Sequence, residues 1–534
     1  MKLSKLFLIL STSFMVSCTN GFEELNTNPL AINNASPNLL LPIMEHYGFH
    51  STAAEYQRVS ILYSGEYCQY LANTSTSFTS GNYIYNSKWT ERGFWTPYYQ
   101  KQLKNLRLVH NSLQEHPEYS DMYQIMRIVT AMGTIRMTDT FGDMPYSKAG
   151  YGDTQAAYDS QKDIYYDVFK ELSEAVALLK QKRNNQLNYG EEDLIYKGDV
   201  DKWIKLANSL RLRAAIRLSY IDPQKAKEEG EAALKEVLFS SNADNAALES
   251  MVDKITYGHP FVNCSFYNEF KASETMVNIL RNTSSIDDPR LPLILSKTEA
   301  WIKGEKGSQE YKGLPNGVPA SELSQPAYTN MNNSGYWSYM WGFKLNNATF
   351  GSGDKVTKEQ KLIPLVIMNY AEVCFLKAEA ALRNWSGAGE AKDNYEAGIR
   401  ASFEELRTYA PKDSYACNTQ FDETYITTGK VKWEDGSDFE TKLEQIITQK
   451  WLGIFPNSVE AWAEFRRTGY PTLQPIKQSL EPSINAANGE FIKKLRYVDN
   501  ELINNSANSQ DPDLNGGKGD GVNVRVWWDT ARYK

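Results

Sequence analysis

The chain has 534 residues, 41% of them hydrophobic, and a mean hydropathy of −0.52, which excludes a disordered or low-complexity polymer. Lys and Arg total 57 against 65 Asp and Glu, a formal net charge of −8 with no basic run. That balance argues against nucleic acid or anionic lipid as an electrostatic partner.

The first 17 residues read as a targeting segment. Lys2 and Lys5 precede a mostly apolar run from Leu6 to Val16, too short for a bilayer span of about 20 residues but suited to a secretory signal. The run stops at Met15-Val16-Ser17-Cys18, a pattern similar to a bacterial lipobox, so Cys18 is expected to be the lipid attachment point of the mature protein. Several acyl chains at about 0.8 kcal/mol per buried methylene anchor a chain stably. Loss of the two lysines takes the mature charge to about −10. Cys68, Cys264, Cys374 and Cys417 are far apart and form no C-x-x-C, so no disulfide framework is readable. Cys374 falls in an apolar helical run and is expected to be buried.

"HYGFH" sets His46 and His50 at i and i+4, a spacing that can hold a metal on a helix, but the third ligand is missing and no metal is expected. Residues 64–95 are weakly patterned, with Phe78, Tyr83, Tyr85, Trp89, Phe94 and Trp95 set among Ser, Thr and Asn; Trp95 is expected in the core. A helix follows from 121, with Met122, Ile125, Met126, Ile128 and Val129 on one face, ending near Asp139 before a Phe-Gly turn. The next helix opens with the capping pair Ser160 and Asp163 and carries the stripe Ile164, Val168, Leu172, Val176, Leu179. A third sets Trp203, Leu206, Leu210 and Ala214 one way while Arg211, Arg213 and Arg217 line much of the rest. Residues 363–385, 390–406 and 442–471 supply further helices, with a Ser-Gly-Ala-Gly turn between the first two that suits tetratricopeptide-like packing, though no strict 34-residue period is present.

Long loops at 251–275, 302–360 and 479–534 invite functional readings. In the last, Asp511, Asp513 and Asn515 begin a D-x-D-x-N-G calcium pattern, but the twelfth position is Val522 rather than Glu, so a plain turn is expected. There is no G-x-S-x-G, H-E-x-x-H or P-loop. The carboxylate pairs Asp139 with Asp143 and Glu460 with Glu464 are read as structural. "YTNMNNSGYWSYMWGFKLNN" gathers Tyr328, Tyr336, Trp337, Tyr339 and Trp341 among Asn and Ser. Ring faces stack on sugars and amides bond their hydroxyls. The candidate ligand residues are therefore Tyr83, Tyr85, Trp89, Asn330, Asn332, Trp337, Tyr339 and Trp341, with oligosaccharide as the ligand and no catalytic residue.

Several blocks, in order along the chain, resemble the SusD/RagB family of nutrient-binding outer-membrane lipoproteins of Bacteroidetes, and its SusD-like branch in particular: "ELNTNP" (24–29), "TDTFGDMPYSKA" (138–149), "YKGDVDKWIKLANSLRLRAAIRL" (196–218), "YAEVCFLKAEAAL" (370–382), "QKWLGIFPNSVEAWAEFRRTGYP" (449–471) and "VWWD" (526–529). The resemblance implies a mainly α fold with tetratricopeptide-like helix pairs, a long-loop face and minor β, built as one domain over 18–534 once the signal at 1–17 is removed. It implies a lipid-anchored position on the outer membrane at the cell surface, where Glu23 and Glu24 fit an acidic export signal. It also implies a SusC-like TonB-dependent transporter as partner, and no enzymatic step. The blocks are mostly scaffold, so no ligand residue is carried over from the family. Two alternatives stay open: peptide cargo, as on the RagB side of the family, and a glycoside hydrolase, which needs two carboxyls about 5–10 Å apart in a cleft.

Overall fold

Helices of nine residues or more carry the architecture: α1 (Pro37–Gly48), α2 (Lys104–Ser112), α3 (Ser120–Phe141), α4 (Gln161–Leu179), α5 (Val200–Arg217), α6 (Pro223–Leu234), α7 (Glu274–Asn282), α8 (Tyr370–Leu382), α9 (Ala391–Tyr409), α10 (Phe439–Gly453) and α11 (Ser458–Thr468). Short strands β1 (Leu71–Asn73), β2 (Met144–Pro145), β3 (Tyr158–Asp159), β4 (Ala246–Leu248), β5 (Phe270–Ala272) and β6 (Leu365–Met368) pair antiparallel as β1–β5, β2–β3 and β4–β6. The computed structural model describes residues 37–248, 259–266, 268–336, 363–410 and 415–533. Cys18 and the side chain of Cys417 lie outside the described residues, while Cys68, Cys264 and Cys374 are buried free thiols.

Local chemistry sets the helix starts. Ser160, Asp199, Asp222, Asn369, Asp438 and Asn457 each accept the backbone N–H three residues on, which satisfies a donor that the first turn would otherwise leave unpaired. Helix α3 runs to Phe141, two residues past the expected end, and stops at Gly142. There φ is +81° and an added Cβ would stand 2.2 Å from Asn515 Oδ1, so two independent constraints require glycine. The stripe Ile164, Val168, Leu172, Val176 and Leu179 is buried throughout. Helices pack most extensively as sequential pairs, α3 with α4, α5 with α6 and α8 with α9, and α10 lies across α8 and α9.

Arg213 and Arg217 of α5 do not face water. Arg213 binds Glu372 of α8 at 2.6 and 2.8 Å, and Arg217 binds Glu460 at 2.6 Å and also Glu464, both of α11. Lys450 of α10 reaches Glu460 at 3.2 Å, Glu464 at 3.3 Å and Glu372 at 3.5 Å. Arg467 grips Glu379 at 2.6 Å and Glu464 at 2.8 Å. Every side chain in this lattice is 8% exposed or less. Asp139 joins it through Arg217 at 3.4 Å and accepts from Tyr165 Oη at 2.6 Å and Trp528 Nε1 at 2.7 Å. Five helices, α3, α5, α8, α10 and α11, are thus cross-linked by charge.

A neighbouring carboxyl has no cation partner among the described residues. Glu405 of α9 accepts from Asn369 Nδ2 at 2.7 Å and Tyr409 Oη at 3.1 Å, and burial pushes it up to about 7. A carboxyl raised in the folded state contributes stability that is fully present below the unfolded value of about 4.3 and is lost as pH rises through 7. Glu405→Gln is expected to flatten the urea-denaturation profile between pH 5 and 8 relative to the unaltered protein. An unchanged slope would mean that Glu405 is ionised in the fold.

The two positions weighed above for a metal are held by ordinary contacts. Helix α1 ends at Gly48, so His46 and His50 do not share a helical face. His50 is buried at φ +57° with Arg136 Nη1 3.3 Å from its Nδ1; burial and that cation hold it well below the usual histidine range. His46 Nδ1 meets Ser51 Oγ at 2.8 Å. In the D-x-D-x-N-G segment, Asn515 Oδ1 accepts from Asp143 N at 3.1 Å while its amide donates to Tyr497 Oη and Gly519 O, and Asp511 accepts from Asp513 N at 2.8 Å. Those side-chain bonds make a turn. Among the described residues no group of three or more His, Cys, Asp or Glu is placed to hold a metal.

Candidate ligand-binding face

The site begins with the pair β1–β5, registered Leu71↔Ala272, Ala72↔Lys271 and Asn73↔Phe270. Strand alternation sends Phe270 to the core, 5.4 Å from Phe261, and places Lys271 on the other side. Residues 310–336 wrap that other side through backbone bonds: Leu314 N to Ala272 O at 2.8 Å, Ala272 N to Ser334 O at 2.9 Å, Ser334 N to Lys312 O at 2.8 Å and Ser296 N to Gly335 O at 2.9 Å. A small apolar cluster of Ala72, Leu314, Val318 and Leu323, with Tyr328 against it, fills the space beneath.

Three loops meet at one carbonyl. Asn268, at φ +55°, accepts from Thr74 Oγ1 at 3.0 Å and from Asn330 Nδ2 at 3.1 Å. Nearby, Asn82 Nδ2 donates to Gly317 O and Gln478 O, both at 3.0 Å, and Leu480 N donates to Asn82 O at 2.8 Å. The stretches 73–82, 268–269, 310–336 and 477–480 therefore form one surface. Its rim carries a short helix, Glu299–Ile302, packed on the turn Asn330–Asn332 and exposing Trp301 (44%) and Ile302 (59%). Lys303 holds Glu299 at 2.6 Å and touches Met331 Sδ at 3.9 Å, and Lys477 donates to Tyr328 Oη at 2.8 Å.

The sequence candidates fare differently. Tyr83 is 2% exposed against Tyr67 at 5.6 Å, so it has no open ring face and is a core ring. Tyr85 is half-buried and fastened by its hydroxyl to Arg496 O at 3.0 Å. Trp89 is half-buried between Tyr63 and Phe78, at 6.4 and 5.6 Å. Asn330 and Asn332 lie on the face, with their amide donors given to Asn268 O and Pro326 O. Tyr336 is 1% exposed, stacked 5.4 Å from Phe455, and anchors its loop. Trp337, Tyr339 and Trp341 lie outside the described residues. Trp95, expected in the core, is 9% exposed. Trp301 and Asn268 were missed. The signal for Trp301 was the dipeptide Trp-Ile directly before a Lys-Gly-Glu-Lys-Gly turn, one residue ahead of the stretch read as loop.

The carboxylate pairs are committed elsewhere. Glu460 and Glu464 belong to the buried lattice, and Asp143 accepts backbone N–H groups from Gln161 at 2.8 Å and Asn515 at 2.7 Å. A glycosidase pair has to meet substrate and water, and these carboxyls are buried or bonded within the scaffold.

The family model "SusD-like: Susd and RagB outer membrane lipoprotein" matches residues 20–529. Among solved structures, a chitin-binding SusD homolog from Flavobacterium johnsoniae is 27% identical, with a TM-score of 0.74 over 92% of this chain and 98% of that one. A SusD homolog from Bacteroides uniformis is 28% identical, with a TM-score of 0.75 over 92% and 99%. One from Parabacteroides distasonis is 26% identical, with a TM-score of 0.76 over 93% and 98%. No curated relative matches the chain.

Proposed function

This chain belongs to the SusD/RagB family of outer-membrane lipoproteins, and from that membership we propose that it is a surface receptor that captures an oligosaccharide and passes it to a SusC-like TonB-dependent transporter. The observation that carries the ligand class is the convergence of separately encoded Asn-, Ser- and Thr-rich loops on Asn268, with the exposed Trp301 on their rim. Fixed amides and hydroxyls suit sugar hydroxyls, and an open indole suits a pyranose face. The chitin-binding relative supports the same class. The lipobox ending at Cys18 supports a lipid anchor, and no helix among the described residues is long and apolar enough to cross a membrane. We assign no catalytic step.

A glycan array followed by calorimetry tests the reading, using the soluble protein that starts after Cys18. Saturable binding of one glycan class is expected, and Trp301→Ala should weaken it several-fold, since ring stacking contributes about 0.5–1.5 kcal/mol beyond area burial. Binding that ignores Trp301→Ala moves the site off this rim. Silence on glycans with binding of peptides would favour the RagB-like alternative.

A further inference from the structure

A second cleft, of about 400 Å³, shares no residue with the Asn268 face. Its size falls in the range of small-ligand pockets, about 300–1,000 Å³. Three segments far apart in sequence, 91–104, 145–156 and 500–505, line it. Side-chain bonds tie them together. Asn500 Nδ2 donates to Glu91 Oε1 at 2.5 Å, Tyr99 Oη to Pro145 O at 2.8 Å, and Asn505 Nδ2 to Ala156 O at 2.8 Å. On the rim, a Cβ at Gly152 would meet nothing within 4 Å, so the cleft borders open space there.

One wall is π-helical. Glu91–Trp95 and Pro97–Leu103 take the wider turn in which each N–H bonds five residues back, a form rare in general and frequent at functional sites. Glu91, Trp95, Thr96, Tyr99, Gln100 and Lys104 recur four or five residues apart, so that turn brings them all to the cleft.

These residues hold unused hydrogen-bonding capacity. Trp95 is 9% exposed, its ring 5.3 Å from Phe141 and 4.8 Å from Tyr99. Its Nε1 nevertheless has no partner among the described residues and is not sealed from solvent, and the same holds for Thr96 Oγ1. Glu501 receives Tyr158 Oη at 3.1 Å and Asn505 Nδ2 at 2.7 Å on one oxygen, Oε1, which fixes the carboxylate and leaves Oε2 open. Glu91 likewise gives Asn500 only its Oε1. Oriented carboxylate acceptors beside an N–H donor match sugar hydroxyls, each of which can give one proton and accept another. The carboxylates repel an anionic ligand, and among the described residues no group of three or more His, Cys, Asp or Glu is placed to hold a metal.

We propose that this cleft is a second saccharide site, separate from the Asn268 face, which takes a neutral sugar with Glu501 Oε2 and Glu91 accepting from its hydroxyls and Trp95 Nε1 donating to them. The ligand class rests on the receptor reading above; the place does not.

The test is calorimetry of the soluble protein with neutral mono- and oligosaccharides of glucose, galactose, mannose, xylose and N-acetylglucosamine, repeated in a Trp301→Ala background that weakens the face. Binding should persist in that background, with hydrogen-exchange protection over 91–104 and 499–505. Glu501→Gln keeps Oε1 for Tyr158 and Asn505 and alters only the open oxygen; it should weaken that binding about tenfold, and Trp95→Phe should weaken it several-fold. Thr154→Trp, at an exposed position of the rim, should block the cleft and serves if a wall variant fails to fold. Binding that vanishes in the Trp301→Ala background, or that ignores both Glu501→Gln and Thr154→Trp, overturns the cleft and leaves the receptor reading standing. Binding confined to amino sugars and lost at high salt overturns the neutral class. No binding of any saccharide overturns both.

Discussion

Methionine at Arg467 is expected to cost about 3–5 kcal/mol of stability, read as a lowered urea midpoint at constant slope. Arg467 is the bidentate partner of Glu379 and also holds Glu464. Both carboxylates are 5% exposed or less, so its loss leaves buried negative charge without compensation. Burial alone would raise the Glu464 carboxyl; Arg467, Lys450 and Arg217 outweigh it and hold the group well below the usual range. Glu379 is lowered in the same way, chiefly by Arg467 against its own burial. Carboxyls depressed in the fold contribute stability that is present above about pH 4.3 and is lost as pH falls through their folded values. The variant should therefore lose most at neutral pH and converge on the unaltered protein in acid. Adding Glu379→Gln to the methionine variant should restore part of the loss, because it removes one of the stranded charges. A cost below 1 kcal/mol would mean that water reaches the lattice.

Serine at Cys18 is expected to remove the protein from the outer-membrane fraction. On the proposed lipobox reading the Cys18 thiol, a stronger nucleophile than a hydroxyl, takes up the lipid; serine in its place leaves the acyl chains unattached, and with them goes about 0.8 kcal/mol of anchoring per methylene. Metabolic labelling with an alkyne fatty acid should mark the unaltered protein and not the variant, and the mass of the mature N-terminus should differ by the lipid. Equal labelling of both would place the attachment elsewhere.

What the sequence disclosed followed the range of the interactions involved. The stripe from Ile164 to Leu179 and the cap Ser160 depend on neighbours within one helical turn, and they stand in the structure as the pattern predicts. The blocks that identified the family are these same local devices. The arginines of α5 were legible as a row but not in their direction, because the carboxylates that draw Arg213 and Arg217 inward sit on α8 and α11. The site was harder still. Tyr83 and Trp301 look alike in sequence, each a ring among polar residues. Contact with Tyr67 buries one, and the packing of 299–302 on 330–332 leaves the other open. Asn268, which gathers the loops, carries no signal beyond being an asparagine, a residue that tolerates positive φ.

The buried charge lattice also dictates when the chain can fold. The guanidinium of Arg213 emerges from the ribosome 159 residues before Glu372, and that of Arg217 precedes Glu460 by 243. Until those glutamates arrive, Arg213 lacks its carboxylate and Arg217 has only Asp139, so packing α5 inters cations whose main partners are still to come.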